Sequence, residues 1–331
     1  MLLKYLFVSI CALLLIKITR ILAVKLYLVD KPNIRKKHLF EVPLVGGLVF
    51  AFANLIIYSI NDFSFSINKI LVASTIVAII GFFDDKFELS VTKKIILLII
   101  PIFITATDDL ILTSLGTYKY LNDINFGSYA IISTLGAALL LINATNYFDG
   151  SDGNLLTMFI NSLMILIYLN FDNFEFRNFL SFLLLISAIL IPFNLSIIKK
   201  IKIFLGNTGS LLVGFILSFC LIYSAEKYKI HPIILAFSVS VIIFDFLSVT
   251  ISRLIKGKNI FFPDNNHIHH LLIKFFNSNI ISLIILNLIN LTLFAISLLF
   301  YYYINSLSCL LLFIFSFILF FSFRFYLTKY V

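Results

Sequence analysis

Residues 127–170, GSYAIISTLGAALLLINATNYFDGSDGNLLTMFINSLMILIYLN, decide the fold of this chain. Two apolar runs, 127–144 and 154–170, flank a short segment rich in Asn, Asp and Gly. Each run approaches the ~20 residues that cross the hydrocarbon core of a bilayer as a helix. The stretch therefore predicts two membrane helices joined by a polar turn at one membrane surface.

The rest of the composition agrees with this reading. Hydrophobic residues make up 61% of the 331 residues, charged residues make up 12%, and the mean hydropathy is +1.08. A soluble domain carries roughly 25% charged residues, so lipid must surround most of this chain. The net charge of +9 is explained by basic loops at a membrane surface and does not indicate nucleic acid as a partner.

Apolar runs of membrane-spanning length recur along the whole chain, and we predict an all-α, polytopic helix bundle of about 11 helices in one domain. The predicted spans are 3–24, 42–60, 67–83, 91–107, 127–144, 154–170, 178–197, 209–224, 231–250, 279–301 and 307–325.

Lysine and arginine decide the orientation. With the N-terminus outside and the C-terminus inside, 19 of the 25 lysines and arginines fall on the inner side and six on the outer side. The positive-inside rule therefore predicts an N-out, C-in topology. The segments that this topology assigns to the cytoplasm lie near 25–41, 84–94, 143–154, 198–209 and 251–278.

The first polar segment is LVDKPNIRKKH at 28–38, followed by PLVGG. Lys36 and His38 are candidate ligands for the phosphate of a lipid substrate, because that phosphate would lie at this depth. Gly46 and Gly47 permit close approach of backbone or lipid. Anchoring to anionic lipid through charge alone is the alternative.

The second segment, GFFDDK, carries Asp84 and Asp85 where the third helix ends. Two carboxylates at a helix C-terminus oppose the helix dipole unless a cation lies nearby. The pair suits divalent-metal binding or deprotonation of a phosphate nucleophile. An ordinary solvated loop is the alternative.

The third segment, NATNYFDGSDG at 143–153, is the richest in polar residues. Asp149 and Asp152 are three residues apart, so a helical turn would direct both carboxylates the same way. A plain turn between helices needs one Asp-Gly pair, whereas this segment has two and Asn146 besides. We therefore expect a ligand site here.

The fourth segment, FLGNTGS, places Gly206, Gly209 and Ser210 at the start of the eighth helix. Free amides at a helix N-terminus form a ready anion site. A glycine-rich turn capped by serine is the alternative reading.

The fifth segment ends in FPDNNHIHH, and we call His267–His270 the histidine segment. Zinc is disfavoured, because no cysteine lies nearby and the adjacent His269 and His270 cannot easily share one ion. Imidazoles that titrate near neutral pH beside basic residues better suit a phosphate-bearing substrate. Asp245, an acid inside the ninth apolar run, also marks function, since ionisable groups at membrane depth are costly.

In this order and spacing, the five segments resemble the polyprenyl-phosphate N-acetylhexosamine-1-phosphate transferases of glycosyltransferase family 4. The branch of bacterial undecaprenyl-phosphate GlcNAc-1-phosphate transferases (WecA type) is the most similar, and the resemblance covers roughly residues 25–275. It implies transfer of a sugar-1-phosphate from a UDP-N-acetylhexosamine to undecaprenyl phosphate, with release of UMP. It also implies Mg²⁺ as cofactor and a site on the cytoplasmic face of the bacterial inner membrane.

The resemblance further implies residue roles. Asp84 and Asp85 would activate the lipid phosphate, whereas Asp149 and Asp152 would organise nucleotide and metal. Asn146 would coordinate Mg²⁺, and the histidine segment would hold the pyrophosphate and sugar.

The chain departs from the family pattern in two places. The metal-binding aspartate of the family motif FxGDxGS is Asn207 here, whose amide oxygen can still coordinate but carries no charge. The arginine common before HxHH is replaced by Asn265 and Asn266. A catalytically weakened member that serves in binding or assembly is one alternative, and a membrane transporter is another.

Overall fold

The computed structural model describes residues 1–30, 41–198, 201–259 and 266–330, and this part of the chain is a helix bundle. The helices are α1 Leu2–Lys25, α2 Gly46–Ile60, α3 Phe65–Phe87, α4 Val91–Thr105, α5 Ala130–Phe148, α6 Asn154–Leu169, α7 Phe174–Asn194, α8 Gly206–Glu226, α9 Pro232–Phe237, α10 Ser240–Ile255, α11 Ile268–Phe276, α12 Asn279–Tyr303 and α13 Ser306–Tyr330. Helices form because lipid offers backbone groups no hydrogen-bond partner, so each span must satisfy its own.

The all-α membrane class is confirmed. In the described residues, seven helices are long and apolar enough to cross a membrane, and α2 and α6 are shorter apolar helices. Every predicted span overlaps a helix, but the exact number of crossings and the N-out, C-in orientation stay predictions.

One predicted span is interrupted. The run 231–250 was expected as a single helix, but α9 ends at Phe237 and α10 begins at Ser240. The break is stabilised by Asn290 of α12, whose Oδ1 accepts from the backbone N–H of Val241 at 3.3 Å and whose Nδ2 donates to the Ser238 carbonyl at 3.0 Å. Because side chains satisfy the freed backbone groups, the helix can break inside the bundle.

Helix α8 forms the centre of the bundle. Its apolar stretch is 89% buried, against 17% for α13. Glycines allow this close packing: a Cβ on Gly47 would overlap the backbone of Gly209, and one on Gly81 would overlap the backbone of Thr208. Small residues at such crossings let helix backbones approach directly, as is usual in membrane bundles.

Two short antiparallel hairpins are the only sheet in the described residues. Strand β1 (Val29–Asp30) pairs with β2 (Val42–Pro43), and β3 (Ser114–Tyr118) pairs with β4 (Asn122–Asn125). The first hairpin joins the start of α8, because Phe204 donates its N–H to the Pro43 carbonyl at 2.9 Å. The polar segments around β2 and before α8 are thereby held side by side.

The opposite end of the bundle carries its own contacts. Thr113 in the segment before β3 donates to Glu226 at the end of α8, and Lys227 lies 3.0 Å from Asp109. The segments that the charge count assigns to opposite sides of the membrane therefore lie at opposite ends of the bundle.

Candidate active site

The described parts of the polar segments meet at one end of the bundle. The end of α3, the turn between α5 and α6, the start of α8 and the histidine segment contact one another through the side chains described below. The sequence-based expectation that these motifs gather is confirmed. Lys36 and His38 lie outside the described residues, so their role in binding stays a prediction.

Asp85 caps helix α8. Its carboxylate accepts hydrogen bonds from the backbone N–H of Asn207 at 2.7 Å and of Thr208 at 3.0 Å, and from the Thr208 hydroxyl at 2.7 Å. The helix dipole stabilises a negative charge at this position. Gly206 allows the contact, because its φ of +73° is left-handed and a Cβ there would crowd the Asp85 carboxylate.

This cap changes the interpretation of the fourth segment. The amides of Asn207 and Thr208, expected to be free for a substrate anion, already bind a carboxylate of the protein. Gly209 packs against Gly47, and Ser210 is buried. Substrate contact by Gly206, Gly209 and Ser210 stays a prediction, and the geometry favours packing and capping roles.

Asp84 lies beside a cation. Lys94 of α4 places its Nζ atom 2.5 Å from Asp84, and the N–H of Leu89 donates to the same carboxylate at 3.0 Å. A pair of acids at a helix C-terminus requires such a counter-charge, and Lys94 provides it. Both acids of the second segment thus have protein partners, and their catalytic role stays a prediction.

The two candidate metal-binding amides contact each other. Asn146 at the end of α5 donates through Nδ2 to the Asn207 Oδ1 atom and to the Ser210 hydroxyl, both at 2.8 Å. Thr145 also donates to the Ser210 carbonyl at 3.1 Å. These bonds join the third and fourth segments and leave the Oδ1 atom of Asn146 for another partner.

Asp149 follows directly on α5 and differs from the other acids. No described side chain or amide hydrogen-bonds its carboxylate, and burial together with the negative charges of Asp85 and Asp152 raises its pKa to about 7. A carboxylate that is repelled by its neighbours and lacks a donor is well suited to a cation. The turn from 149 to 153 is not helical, so the expected common direction of Asp149 and Asp152 does not arise from a helical turn.

Asp152 is held by Lys202. The Lys202 Nζ atom lies 2.6 Å from the carboxylate and 4.9 Å from the ring centroid of Phe204. Asn279 at the start of α12 donates to the Asp152 carbonyl at 2.8 Å. The sequence placed Lys202 among the basic residues before α8 but did not show that it would pair with Asp152.

The histidine segment is anchored by Asp245. The His267 Nδ1 atom lies 2.8 Å from the Asp245 carboxylate, which also accepts from the backbone N–H of Ile268 at 2.8 Å. The buried acid at membrane depth therefore positions the histidine segment, and the His267 ring stacks on Tyr147 with a centroid distance of 5.8 Å.

The two other imidazoles do not titrate near neutral pH, contrary to expectation. Burial lowers the pKa of His270 to about 4, and burial together with the neighbouring imidazoles lowers the pKa of His269 well below its usual range. Both rings are therefore neutral at pH 7 and act as hydrogen-bonding groups unless an anion arrives. A Cβ on Gly150 would overlap the His269 ring, so the third and fifth segments are in direct contact.

Arg324 in α13 is a site residue that the motifs missed. It is 2% exposed and donates to the Asn266 carbonyl, directly before the histidine segment, at 3.1 Å. The signal that could have found it is a charged residue within an apolar helix, ahead of the last-turn Lys329, since such residues are costly in lipid.

Fold and site together define a multi-pass helical membrane protein with a polar, acid- and imidazole-lined site at one end of the bundle. The family described as glycosyl transferase family 4 matches residues 67–225. Relatives named undecaprenyl-phosphate alpha-N-acetylglucosaminyl 1-phosphate transferase are found in Escherichia coli K12 (32% identical, 77% of this chain and 71% of the relative) and Yersinia pestis (30%, 78% and 72%). A relative of the same name from Pasteurella multocida is 28% identical over 83% of this chain and 79% of its own.

The chain belongs to glycosyl transferase family 4. It is therefore an enzyme of the transferase class, and the resemblance recognised in the order of its motifs is confirmed.

Proposed function

We propose that this protein transfers N-acetylglucosamine-1-phosphate from UDP-GlcNAc to undecaprenyl phosphate, with release of UMP. The relatives' names support the acceptor and the sugar phosphate. The observation that carries the proposal is the carboxylate of Asp149, which has no hydrogen-bond donor among the described residues and has the negative charges of Asp85 and Asp152 as neighbours. The next residue, Gly150, lies against the His269 ring. In the reaction, an oxygen of the lipid phosphate bonds to the sugar-bearing phosphorus, and the bond from that phosphorus to UMP breaks.

The site fits a magnesium ion that takes most of its ligands from water and phosphate. No cluster of three or more His, Cys, Asp or Glu that could hold a metal occurs in the described residues. Mg²⁺ is commonly held by one or two carboxylates plus substrate phosphates. Asp149 has a free carboxylate and Asn146 a free amide oxygen, so these two would hold the ion. It would neutralise the charge of the two phosphate groups as they approach.

The remaining residues have roles that follow from their contacts. Lys202 holds Asp152 in place for the nucleotide, and the neutral His269 and His270 can donate hydrogen bonds to phosphate oxygens without a prior positive charge. The family resemblance assigns Asp84 and Asp85 to the lipid phosphate. Asp85 keeps the end of α3 against α8, and Asp84 keeps it against α4. Their ion pair and cap make them positioning groups as well as candidate bases.

We propose that the reaction occurs on the cytoplasmic side of the bacterial inner membrane. The support is the excess of lysine and arginine at the end of the bundle where the polar segments meet. The lipid acceptor would reach the site from the bilayer.

The test is a membrane assay of the full-length protein with UDP-GlcNAc, undecaprenyl phosphate and Mg²⁺. We expect a lipid-linked sugar and stoichiometric UMP, and neither with Asp149→Asn. A panel with UDP-GalNAc and 6-deoxy donors identifies the sugar. If no UDP-N-acetylhexosamine gives a lipid-linked product, the proposal is wrong.

One observation favours testing a second candidate, a member with weakened catalysis. Asn207 carries no charge, and its Oδ1 atom already accepts a hydrogen bond from Asn146. If Asn207→Asp creates activity in a chain that otherwise has none, or lowers the Mg²⁺ requirement sharply, the weakened state is shown. A transporter is disfavoured by the family relationship.

A further inference from the structure

Helix α13 carries a buried arginine on the side that faces the histidine segment. Arg324 donates through Nη2 to the Ser248 carbonyl at 2.9 Å and to the Ser252 hydroxyl, and through Nη1 to the Asn266 carbonyl at 3.1 Å. Ser248 and Ser252 lie in the last turns of α10, where the helix dipole favours a cation. One guanidinium thus connects α10, α13 and the residue that precedes His267.

Asp245, one turn before Ser248 on α10, holds His267 and Ile268. It accepts from His267 Nδ1 and from the N–H of Ile268. Arg324 therefore holds the Asn266 carbonyl, whereas Asp245, of opposite charge, holds the His267 side chain and the Ile268 amide. Both groups are almost completely buried, at 2% exposure for Arg324 and 1% for Asp245.

A buried guanidinium is costly unless its hydrogen bonds are made, and a bundle has no packing need for one. The function that explains its position is control of the histidine segment. The His267 ring stacks on Tyr147, next to Asn146, and His269 touches Gly150, next to Asp149. A shift of the Asn266 carbonyl would move these rings relative to the candidate metal-binding acid.

We propose that Arg324 is a positioning residue for the transfer reaction, which holds the histidine segment against the turn between α5 and α6. The residue lies in the last helix, outside residues 67–225 matched by the family. A test by kcat/KM rests on the proposed function, whereas a test by the accessibility of the histidine segment does not.

The first experiment is a double-mutant cycle on purified full-length protein. Arg324→Met should lower kcat/KM for the UDP-sugar by about 10- to 100-fold, the cost of a small misplacement of reacting groups. Arg324→Lys, which keeps the positive charge, should retain part of the kcat/KM that Arg324→Met loses. In a His267→Ala background, Arg324→Met should lower kcat/KM by less than about a further 3-fold, because the effects of coupled residues are not additive. Arg177→Met, at the other end of the bundle, is the control and should leave kcat/KM unchanged.

The second experiment needs no activity. Ile268 is fully buried, so a cysteine there, with the three native cysteines replaced by alanine, should react slowly with a maleimide. Arg324→Met should raise that rate at least about 10-fold, and Arg324→Lys should raise it less, because the same contacts hold the segment closed. If the rate rises but wild-type protein makes no product, the positioning stands and the proposed function fails.

The proposal is overturned if the Arg324→Met and His267→Ala losses multiply independently, or if the labelling rate of the cysteine at position 268 does not change. It is also overturned if Arg177→Met lowers kcat/KM as much as Arg324→Met. Should Arg324→Met not fold, Arg324→Lys alone must still show both the kcat/KM loss and the faster labelling.

Discussion

Among the four acids of the candidate site, Asp149 is the one whose negative charge has no described partner. Asp84 has Lys94, Asp85 has the N-terminus of α8 and Asp152 has Lys202. Asp149 has neighbours of its own sign and a pKa raised to about 7 from 3.8. In the ligand-free protein, the ionised form of this group opposes folding, and a bound cation would reverse that effect.

The pH dependence of stability tests this charge imbalance. A carboxyl whose folded-state pKa is raised favours the fold only while it is protonated, so stability falls as pH rises from about 4 to above 7. Asp149→Asn should therefore raise the Tm of the metal-free protein at pH 8, should not change it near pH 3.5, and should abolish product formation. Differential scanning fluorimetry in detergent measures the first effect.

The control for this experiment is Asp172→Asn. Asp172 is exposed in the turn between α6 and α7, and helix α6 separates it from Asp152 of the candidate site. The Asp172→Asn substitution should change neither the difference in Tm between pH 3.5 and pH 8 nor the activity. A lower Tm for Asp149→Asn at pH 8 would show that Asp149 has a stabilising partner.

At the scale of elements, close contacts between helices are made by glycine. Gly47 on α2 and Gly81 on α3 both press against the first turn of α8, and Gly214 further along α8 presses against α5. Without a hydrophobic driving force between helices in lipid, direct backbone packing supplies much of the attraction. These contacts also fix the start of α8, to which Asp85 and Asn146 bind.

Gly47→Ala should separate α2 from α8. The added methyl group would overlap the backbone of Gly209, which cannot yield as a side chain would. We expect a loss of roughly 1–3 kcal/mol of stability, typical of overpacking, and reduced activity because the Asp85 cap is displaced. Gly136→Ala on α5 is the matched control: nothing lies within 4 Å of its Cβ, so the change should be neutral or stabilising. Equal Tm values for the two variants would contradict the packing argument.

The break between α9 and α10 is the second feature at this scale. Asn290 of α12 supplies a donor and an acceptor to the break. Its Nδ2 atom also donates to the Oδ1 atom of Asn161 in α6 at 3.2 Å. Asn161 in turn donates to the carbonyl of Asn287 at 3.0 Å. Three helices are therefore joined by one buried amide network, and α10, which carries Asp245, is placed by it.

Asn290→Leu should leave the Val241 N–H without its side-chain acceptor, whereas the Ser238 carbonyl keeps its hydrogen bond from the Ser162 hydroxyl at 2.8 Å. A buried polar group left unsatisfied costs about 1–3 kcal/mol, so the Tm should fall by several degrees. Thr292→Val, an exposed change on the same helix whose hydroxyl bonds only to its own helix, should have little effect. A Tm drop for Thr292→Val as large as that for Asn290→Leu would attribute the effect to α12 generally.

For the whole molecule, the charge distribution predicts the orientation in the membrane. Lysine and arginine are concentrated at the end of the bundle that holds the candidate site, and the β3–β4 hairpin lies at the other end. The positive-inside rule therefore predicts that the site end faces the cytoplasm. Exposed positions are available at both ends to test this.

Labelling of single cysteines in whole cells measures the orientation. Tyr120→Cys at the tip of the β3–β4 hairpin should react with an impermeant maleimide from outside. Lys258→Cys, exposed after α10, should react only after the inner membrane is opened. The native Cys220 and Cys309 are buried, whereas Cys11 is only partly buried, so all three are replaced by alanine in both variants. The opposite labelling pattern would show an N-in topology.

The sequence by itself determined the membrane class, the position of nearly every helix, the family and the set of candidate site residues. These are local properties: a span is recognised from its own ~20 apolar residues, because lipid forces each segment to satisfy its own backbone. Motif order along the chain then identified the family. The interruption between α9 and α10 was missed, because residues on α12 stabilise it.

Only the tertiary structure decided which charged groups are partnered. Asp85 caps a helix 122 residues away, and Arg324 reaches a carbonyl 58 residues away. The lowered pKa of His270 likewise depends on burial by other helices. Such pairings follow from the packing of distant helices, which residue type and spacing do not encode, because the free energy of a buried charge depends on the groups around it in three dimensions.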